Sequence, residues 1–136
     1  LTLGNLVCDQ ANLLKLQFPD NSIPSLSCMH VVEHIGLGRY GDLLNPQGDL
    51  IAMHELQRVL APGGSLLFVV PVGKPKVCFN AHRIYSFEQI VQAFGGLDLL
   101  EFSLISDNKQ QPILLNADPS LVASQDYACG CFWFKK

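Results

Sequence analysis

The chain has 136 residues, the length of one domain, and 49% of them are hydrophobic, which is enough for a substantial core. Charged residues make up only 15%, which argues against a disordered chain. A net charge of −3 and a pI near 5.7 provide no basic surface for nucleic acid or an anionic membrane. No apolar run approaches the roughly 20 residues of a spanning helix, and no signal segment is present, so we expect a cytoplasmic protein.

The cysteines are odd in number and lie mostly in apolar runs, which indicates reduced, buried thiols rather than a disulfide framework. They are Cys8, Cys28, Cys78, Cys129 and Cys131. The last two do not have CxxC spacing, and on a strand both would point to one face. We expect no metal or redox site at this pair.

The first elements in chain order are two strands separated by turns. Residues 3–8 are predicted to form a strand, with Asp9 either at its carboxyl tip or capping the next turn. Residues 11–16 have the pattern of a short helical turn, and FPDNS at 18–22 is a strong turn signal. Residues 23–29 are predicted to form the second strand, with a proline near its start.

The middle of the chain contains the clearest helix and the most apolar strand. Residues 49–60 carry apolar side chains at helical spacing, Asp49 is placed to cap the helix or to face its dipole, and APGG at 61–64 ends the helix. Residues 65–71, SLLFVVP, form a continuous apolar run. Such a run is typical of a strand buried on both faces in a parallel sheet.

The last third of the chain predicts one more helix and two more strands. Ser86 and Gln89 form a capping box that opens a helix over residues 87–94. Residues 97–106 and 127–134 are predicted strands, and the second of them would run antiparallel.

A polar loop, residues 107–124, separates these two strands. The alternation of helices with buried apolar strands indicates a single α/β domain over residues 1–136.

The segment after the second strand, HVVEHIGLGRYGD at 30–42, gathers more side chains suited to chemistry than any other segment. It contains His30, Glu33 and His34, which are candidate catalytic residues because imidazole and carboxylate groups transfer protons near neutral pH. Two alternatives stay open. His34 could be a packing histidine, or H-x-x-E-H could bind zinc with Glu88 or Glu101 as a third ligand.

Candidate substrate-binding residues follow two predicted strands. They are Arg39, Tyr40, Asn80, His82 and Arg83. A guanidinium group fits a carboxylate or a phosphate, and the glycines around Arg39 would let the backbone approach a ligand. The alternative roles are structural: Arg39 could pair with Asp42, Asn80 could make a local turn bond, and Arg83 could be solvated.

Several motifs resemble, in order and with natural spacing, the second half of class I S-adenosylmethionine-dependent methyltransferases. These motifs are FPDNS (18–22), HVVEHI (30–35), ELQRVLAPGGSL (55–66) and VP (70–71). With GLGRYGD (36–42) and FNAHRIYSFEQI (79–90), the chain is similar to a methyltransferase-like group of unassigned function first catalogued from nematode proteins.

This resemblance implies a Rossmann-like, mostly parallel sheet with an antiparallel last strand, and S-adenosylmethionine as cofactor. It implies that Asp9 and Gln10 face the adenine and that Cys28, Met29 and His30 line the methionine end. The strand tips at Asp9, His30 and Pro71 would then converge on one pocket.

The sequence departs from the family because it contains no GxGxG loop, and Gly36-Leu37-Gly38 lacks the strand–turn–helix context of one. That loop and the family's first two strands would precede Leu1, so we expect a truncated domain. We expect a methyltransferase acting on a small polar or anionic acceptor. The alternative is a non-catalytic remnant that forms a binding module or a homodimer through an open sheet edge.

Overall fold

The computed structural model describes residues 2–108 and 110–136. Leu1, where the sequence begins, and Lys109, in the predicted loop 107–124, lie outside the described residues. The strands are β1 (Thr2–Leu3), β2 (Leu6–Val7), β3 (Ile23–Met29), β4 (Leu60–Val72), β5 (Lys76–Cys78), β6 (His82–Ile84), β7 (Asp98–Ile105) and β8 (Ala128–Lys135). The helices are α1 (Gly48–Val59) and α2 (Phe87–Ala93), with 3₁₀ turns at Val32–His34 and Pro119–Ser124.

The main sheet has four strands in the order β3-β4-β8-β7. The strands β3 and β4 pair in parallel, and β8 pairs antiparallel with both β4 and β7. Three strands therefore point the same way and the last strand of the chain is reversed, which confirms the predicted fold class. The parallel register brings Met29 opposite Val69.

The hydrophobic core lies on one face of this sheet. On β4, Leu66, Phe68 and Val70 are fully buried, and the Phe68 ring contacts Phe94 beyond the end of α2 at 4.9 Å between centroids. The alternate residue Leu67 is 44% exposed, so the prediction that this strand is buried on both faces is wrong. Side chains alternate along a strand, and within the described residues only one face of the sheet is covered by helices.

The predicted strand at residues 3–8 is also wrong. The segment forms a small antiparallel hairpin, β1 with β2, that does not join the four-stranded sheet. Gly4 at φ 61 makes the turn, and Leu6 and Val7 are 59% and 73% exposed. Asp9 therefore does not stand at a strand tip of the sheet, whereas the ends of β3 and β4 lie side by side as expected.

The helices match their predicted positions to within one residue. Asp49 lies in the first turn of α1, where its charge faces the helix dipole, and it is not the N-cap. The N-cap is Gln47, while the Asp49 carboxylate is buried and accepts a hydrogen bond from the Tyr85 hydroxyl at 3.0 Å. At α2 the capping box is confirmed, with the Ser86 hydroxyl accepting from the Gln89 N–H. Among the described residues, no helix has the length and apolarity to cross a membrane.

The FPDNS turn is tied to α1 by one arginine. Arg58 donates to the carbonyls of Leu16 and Phe18 at 3.0 Å each, and its guanidinium pairs with Asp20 at 2.6 Å. Glu55 holds the same guanidinium from the helix side at 2.8 Å. The contacts of Arg58 therefore fix the FPDNS loop, which precedes β3, against α1.

Candidate functional site

A groove of about 720 Å³ lies beyond the carboxyl end of β3. One wall is the loop 10–14, and the other is the segment that follows β3. The lining residues are Gln10, Ala11, Asn12, Leu13, Leu14, His30, Val31, His34, Ile35, Tyr40 and Asp42. Beyond the carboxyl ends of the strands is where open α/β sheets bind their ligands.

A second cavity of about 620 Å³ lies between α1 and α2. It contains Leu50 and His54 from α1 and the amide side chains of Gln57, Gln89 and Gln92. Neither His30 nor His34 lines it. We refer to it as the helix cleft, and we place the candidate site in the groove, where the titratable side chains gather.

The turn at His30 begins the site. His30 has φ 53, a left-handed conformation that is uncommon for a residue with a side chain, and its N–H continues the β3 pairing to the Val69 carbonyl at 2.9 Å. The chain then enters the 3₁₀ turn Val32–His34, which brings Glu33 back toward His30. His30 Nδ1 lies 3.1 Å from Glu33 Oε1.

Glu33 is a buried carboxylate between two imidazoles. Its side chain is 1% exposed, and Oε1 faces His30 Nδ1 at 3.1 Å and His34 Nε2 at 3.7 Å. Its other oxygen, Oε2, is buried with no hydrogen-bond partner among the described residues. An unsatisfied buried oxygen is costly to folding, and such groups cluster where chemistry requires them.

His34 is held by the hairpin of β5 and β6. Its Nδ1 lies 2.6 Å from the Ala81 carbonyl, so that nitrogen carries the proton and donates it. The ring packs edge-on against Tyr40 and His82, at 5.6 and 6.3 Å between centroids, and His82 in turn contacts Tyr127 at 5.1 Å. Burial, reinforced by repulsion from His34 and Arg39, lowers the pKa of His82.

The glycine-rich loop beside His34 is shaped by Asp42. Gly36, Gly38 and Gly41 all have positive φ, between 75 and 81. The Asp42 carboxylate accepts from the N–H groups of Gly36 at 2.6 Å and Tyr40 at 3.3 Å. Burial opposes the effect, but these backbone hydrogen bonds lower the pKa of Asp42.

Two predicted substrate residues project from that loop. Arg39 is exposed and its guanidinium lies over the Tyr40 ring, 5.5 Å from the centroid, while Tyr40 lines the groove. The Asp42 carboxylate accepts hydrogen bonds from the backbone N–H groups of Gly36 and Tyr40. The Arg39 guanidinium therefore lies over the face of an aromatic ring that lines the groove.

Arg83 does not stand at the groove. It is 6% exposed, donates to the carbonyls of Ile35 at 2.6 Å and Pro46 at 3.3 Å, and lies 3.4 Å from Asp49 Oδ2. These contacts give the Arg83 guanidinium a structural role, and it lines a separate cavity of about 270 Å³ rather than the groove. Asn80 is exposed at φ 50 in the turn between β5 and β6, and it does not line the groove.

Of the five residues expected at the cofactor, Gln10 and His30 line the groove. The Asp9 carboxylate accepts from the Gln10 N–H at 2.8 Å, which is a local turn bond. Cys28 is 7% exposed, and burial raises the pKa of its thiol to about 11. Met29 is 54% exposed beside the groove but is not among its lining residues.

Sequence reasoning missed Cys129, whose Sγ lies 3.5 Å from His30 Nε2. The signal was present in the register: a reversed last strand pairs Cys129 with Pro71, next to the tip of β4. The H-x-x-E-H segment is a three-residue 3₁₀ turn, not a helix. Within the described residues, no group of three or more His, Cys, Asp or Glu side chains is arranged to hold a metal ion.

Solved structures share this fold. SpnF, a (4+2)-cyclase, has a TM-score of 0.61 and 17% identity over 94% of this chain and 54% of its own. A Bacillus halodurans C-125 protein described as a putative methyltransferase has a TM-score of 0.62 and 14% identity, over 93% of this chain and 70% of its own. The N-methyltransferase NodS from Bradyrhizobium japonicum WM9, solved with S-adenosyl-L-homocysteine, has a TM-score of 0.53 and 13% identity, over 93% and 52%.

The chain thus spans about half the length of SpnF and of NodS. Identities this low show a shared methyltransferase-like fold and nothing about activity. No curated protein has a sequence that matches this chain. A family model matches residues 17–127, which is most of the chain. The chain therefore belongs to the family described as Caenorhabditis protein of unknown function, DUF268.

Proposed function

We propose that the protein is a methyltransferase that binds S-adenosylmethionine in the groove and transfers its methyl group to a small polar or anionic acceptor. The observation that carries the proposal is the position of the groove, at the carboxyl end of β3 with His30 and His34 on its wall. NodS, which has the same fold, was solved with the demethylated form of this cofactor.

The groove fits one end of such a cofactor. Its volume of about 720 Å³ lies in the ordinary range for small-molecule sites. The apolar side chains of Leu13, Leu14 and Ile35 suit a purine ring, and the amides of Gln10 and Asn12 can bond its edge or a ribose hydroxyl.

The methionine end of the cofactor has fewer partners in the groove. The groove's one carboxylate within the described residues, Asp42, is already bonded to two backbone N–H groups. Because Asp42 is already engaged, the side-chain amides of Gln10 and Asn12 are the groups proposed to hold the cofactor. Its sulfonium would supply a methyl group by in-line displacement, for which the protein mainly positions the reactants.

His30 is the proposed general base. Its Nδ1–H donates to Glu33 Oε1, so the lone pair of Nε2 remains available to take a proton. The buried Glu33 carboxylate stabilises the imidazolium that forms. His34 presents Nε2 toward Glu33 at 3.7 Å, a favourable contact only when that nitrogen also carries a proton. The two imidazoles therefore share one counter-ion, and His34 helps to orient Glu33.

An anionic acceptor fits the exposed Arg39 above Tyr40. A guanidinium binds a carboxylate or phosphate through two parallel hydrogen bonds. Two small alcohols that differ only by a carboxylate test this point. Arg39→Gln is expected to raise KM about tenfold for the acidic alcohol and to leave the neutral one unchanged. An equal effect on both would remove Arg39 from the proposed acceptor site.

Cofactor binding is tested by calorimetric titration with S-adenosylhomocysteine. Val31 in the groove and Leu50 in the helix cleft are each 45% exposed, so Val31→Arg and Leu50→Arg form a matched pair. We expect saturable heat with the unaltered protein and with Leu50→Arg, and no heat with Val31→Arg. The absence of heat from the unaltered protein at millimolar ligand, or its loss only in Leu50→Arg, would contradict the proposal.

The second candidate is a non-catalytic binding module that forms a homodimer. The observation that favours it is β3, an edge strand of the described sheet whose outer side is open to pairing. SpnF shows that this fold also occurs in a protein described as a cyclase. Sedimentation velocity combined with the titration separates the candidates. A dimer that gives no cofactor heat supports the module, and a protein that gives saturable heat supports the methyltransferase.

A further inference from the structure

Two side chains of one turn and a third that is 99 positions away from His30 form a continuous relay at the open face of the sheet. Cys129 Sγ lies 3.5 Å from His30 Nε2, and His30 Nδ1 lies 3.1 Å from Glu33 Oε1. We propose that Cys129 is a nucleophilic thiol, activated by His30 and Glu33, which forms a covalent adduct with a small molecule that carries an electrophilic carbon. This activity requires no S-adenosylmethionine, although it uses the same His30 nitrogen that the proposed methyl transfer uses.

The hydrogen bonds fix the direction of proton flow. An ionised carboxylate only accepts, so with Glu33 as a carboxylate the proton of this hydrogen bond is on His30 Nδ1. His30 Nε2 is then the acceptor, and the atom it faces is the Cys129 sulfur. A thiol, an imidazole and a buried carboxylate in this order are the general arrangement for activating a nucleophile.

The backbone holds both ends of the relay in place. His30 is fixed by its left-handed φ of 53 and by the bond from its N–H to Val69. Cys129 is fixed in β8, opposite Pro71 on β4 and Ile105 on β7. Sites carried by strands hold their geometry better than sites on loops. The strained backbone at His30 is the kind of feature that persists where function requires it.

A second thiol beside Cys129 opposes the ionisation of Cys129, so activation of Cys129 depends on His30. Cys131 lies two positions further along β8, on the same face. The hydrogen bond between the two thiols raises the pKa of Cys129, which burial raises further, and lowers the pKa of Cys131 to about 7. Two thiols in contact titrate as a pair, so the pair carries one negative charge near neutral pH. Without a further base that charge rests on Cys131, but His30 Nε2 contacts Cys129 and is placed to take the proton of this thiol.

The site is open to small molecules. The His30 side chain is 48% exposed, Cys129 is partly exposed, and the nearby Tyr127 is 54% exposed. In the adduct step the thiol proton moves to His30 Nε2 and a sulfur lone pair forms the S–C bond. The bond from that carbon to its leaving group breaks, and the leaving group departs with the electron pair.

Iodoacetamide is a direct probe, because it forms the S–C bond and releases iodide. The reduced protein is pulsed with a limiting amount at pH 7, and peptide mass spectrometry gives the rate at each cysteine. We expect Cys129 to react about tenfold faster than Cys78, which has the same class of exposure, because His30 Nε2 can take the Cys129 proton as the S–C bond forms. Equal rates, or a fastest rate at Cys131, would overturn the proposal.

Variants separate activation from simple accessibility. His30→Asn keeps a residue that tolerates a left-handed φ, and Glu33→Gln keeps the shape of the side chain. Each is expected to slow Cys129 about tenfold, while His54→Asn and Glu88→Gln, on α1 and α2, leave it unchanged.

The pH dependence of the Cys129 alkylation rate distinguishes activation by His30 from a purely structural role of His30, which would leave this dependence unchanged. In the unaltered protein the Cys129 rate should level off near neutral pH. In His30→Asn it should keep rising beyond about pH 8.5, the ordinary pKa of a thiol, because Cys131 and burial raise the pKa of Cys129. Identical profiles in the two proteins would contradict activation by His30.

Discussion

Arg83 and Ile35 lie 48 positions apart in the chain, and the Arg83 guanidinium donates to the Ile35 carbonyl at 2.6 Å. The same guanidinium holds the Pro46 carbonyl and the Asp49 carboxylate. One buried cation on β6 thereby joins both ends of the glycine-rich loop to the first turn of α1. This clamp fixes the wall of the groove that contains His34 and Tyr40.

Replacing Arg83 with methionine should therefore destabilise the fold. The substitution leaves two carbonyls without their donor and a buried carboxylate without its cation, at a cost of about 3–5 kcal/mol. Urea denaturation measures the free energy of unfolding. Because the two residues form one pair, Arg83→Met combined with Asp49→Asn should cost less than the sum of the two changes. Unchanged stability in Arg83→Met would instead favour the sequence-based reading of Arg83 as a substrate ligand.

Gly36 is the residue of the groove wall that tolerates substitution least. It has φ +79, and a Cβ there would lie 2.0 Å from the Asn45 carbonyl oxygen. Gly41 has nearly the same φ, +81, but no atom within 4 Å of the corresponding Cβ. Gly41→Ala should cost only the backbone strain, about 1–2 kcal/mol, whereas Gly36→Ala should cost clearly more because the loop must move. If urea denaturation gave the same loss of stability for Gly36→Ala and Gly41→Ala, the close contact with Asn45 would not contribute to the cost.

Asp42 should make stability depend on pH at the acid end. Its pKa is lowered in the folded state, so its contribution is present above the unfolded value of about 3.9 and is lost as pH falls through the folded pKa. The free energy of unfolding should fall more steeply below about pH 5 in the unaltered protein than in Asp42→Asn.

The difference between the two curves isolates Asp42 from other carboxylates. Hydrogen bonds from Arg58 and Lys74 also lower the pKa values of Glu55 and Asp126, but these groups titrate in both proteins. Superimposable curves for the unaltered protein and Asp42→Asn would show that the bonds to Gly36 and Tyr40 do not form in solution.

Local patterns predicted the elements whose signals are local. The strand Ile23–Met29 has the predicted bounds, and the Ser86–Gln89 box opens α2 where expected, because a cap involves residues three positions apart. The segment at residues 3–8 failed because strand propensity does not say which strand will pair with it. For the described residues, the partner of β2 is the adjacent β1.

In the candidate site, too, contacts between neighbours in the sequence could be predicted and contacts between distant residues could not. The sequence brought His30, Glu33 and His34 together because they share one short turn, and the structure places both imidazoles against Glu33 Oε1. The contact between His30 and Cys129 spans 99 positions and depends on the register of β8 against β4. Arg83 has the residue type of an anion ligand, but its burial is set by elements distant in the chain.

The central claim, that the groove beyond β3 binds S-adenosylmethionine, is tested most directly by amide correlation spectra during titration with S-adenosylhomocysteine. The expected result is a saturable set of shifts confined to the two groove walls, the loop 10–14 and the segment 30–42. Spectra that do not change at millimolar ligand, or shifts confined to residues 89–96 of the helix cleft, would contradict it.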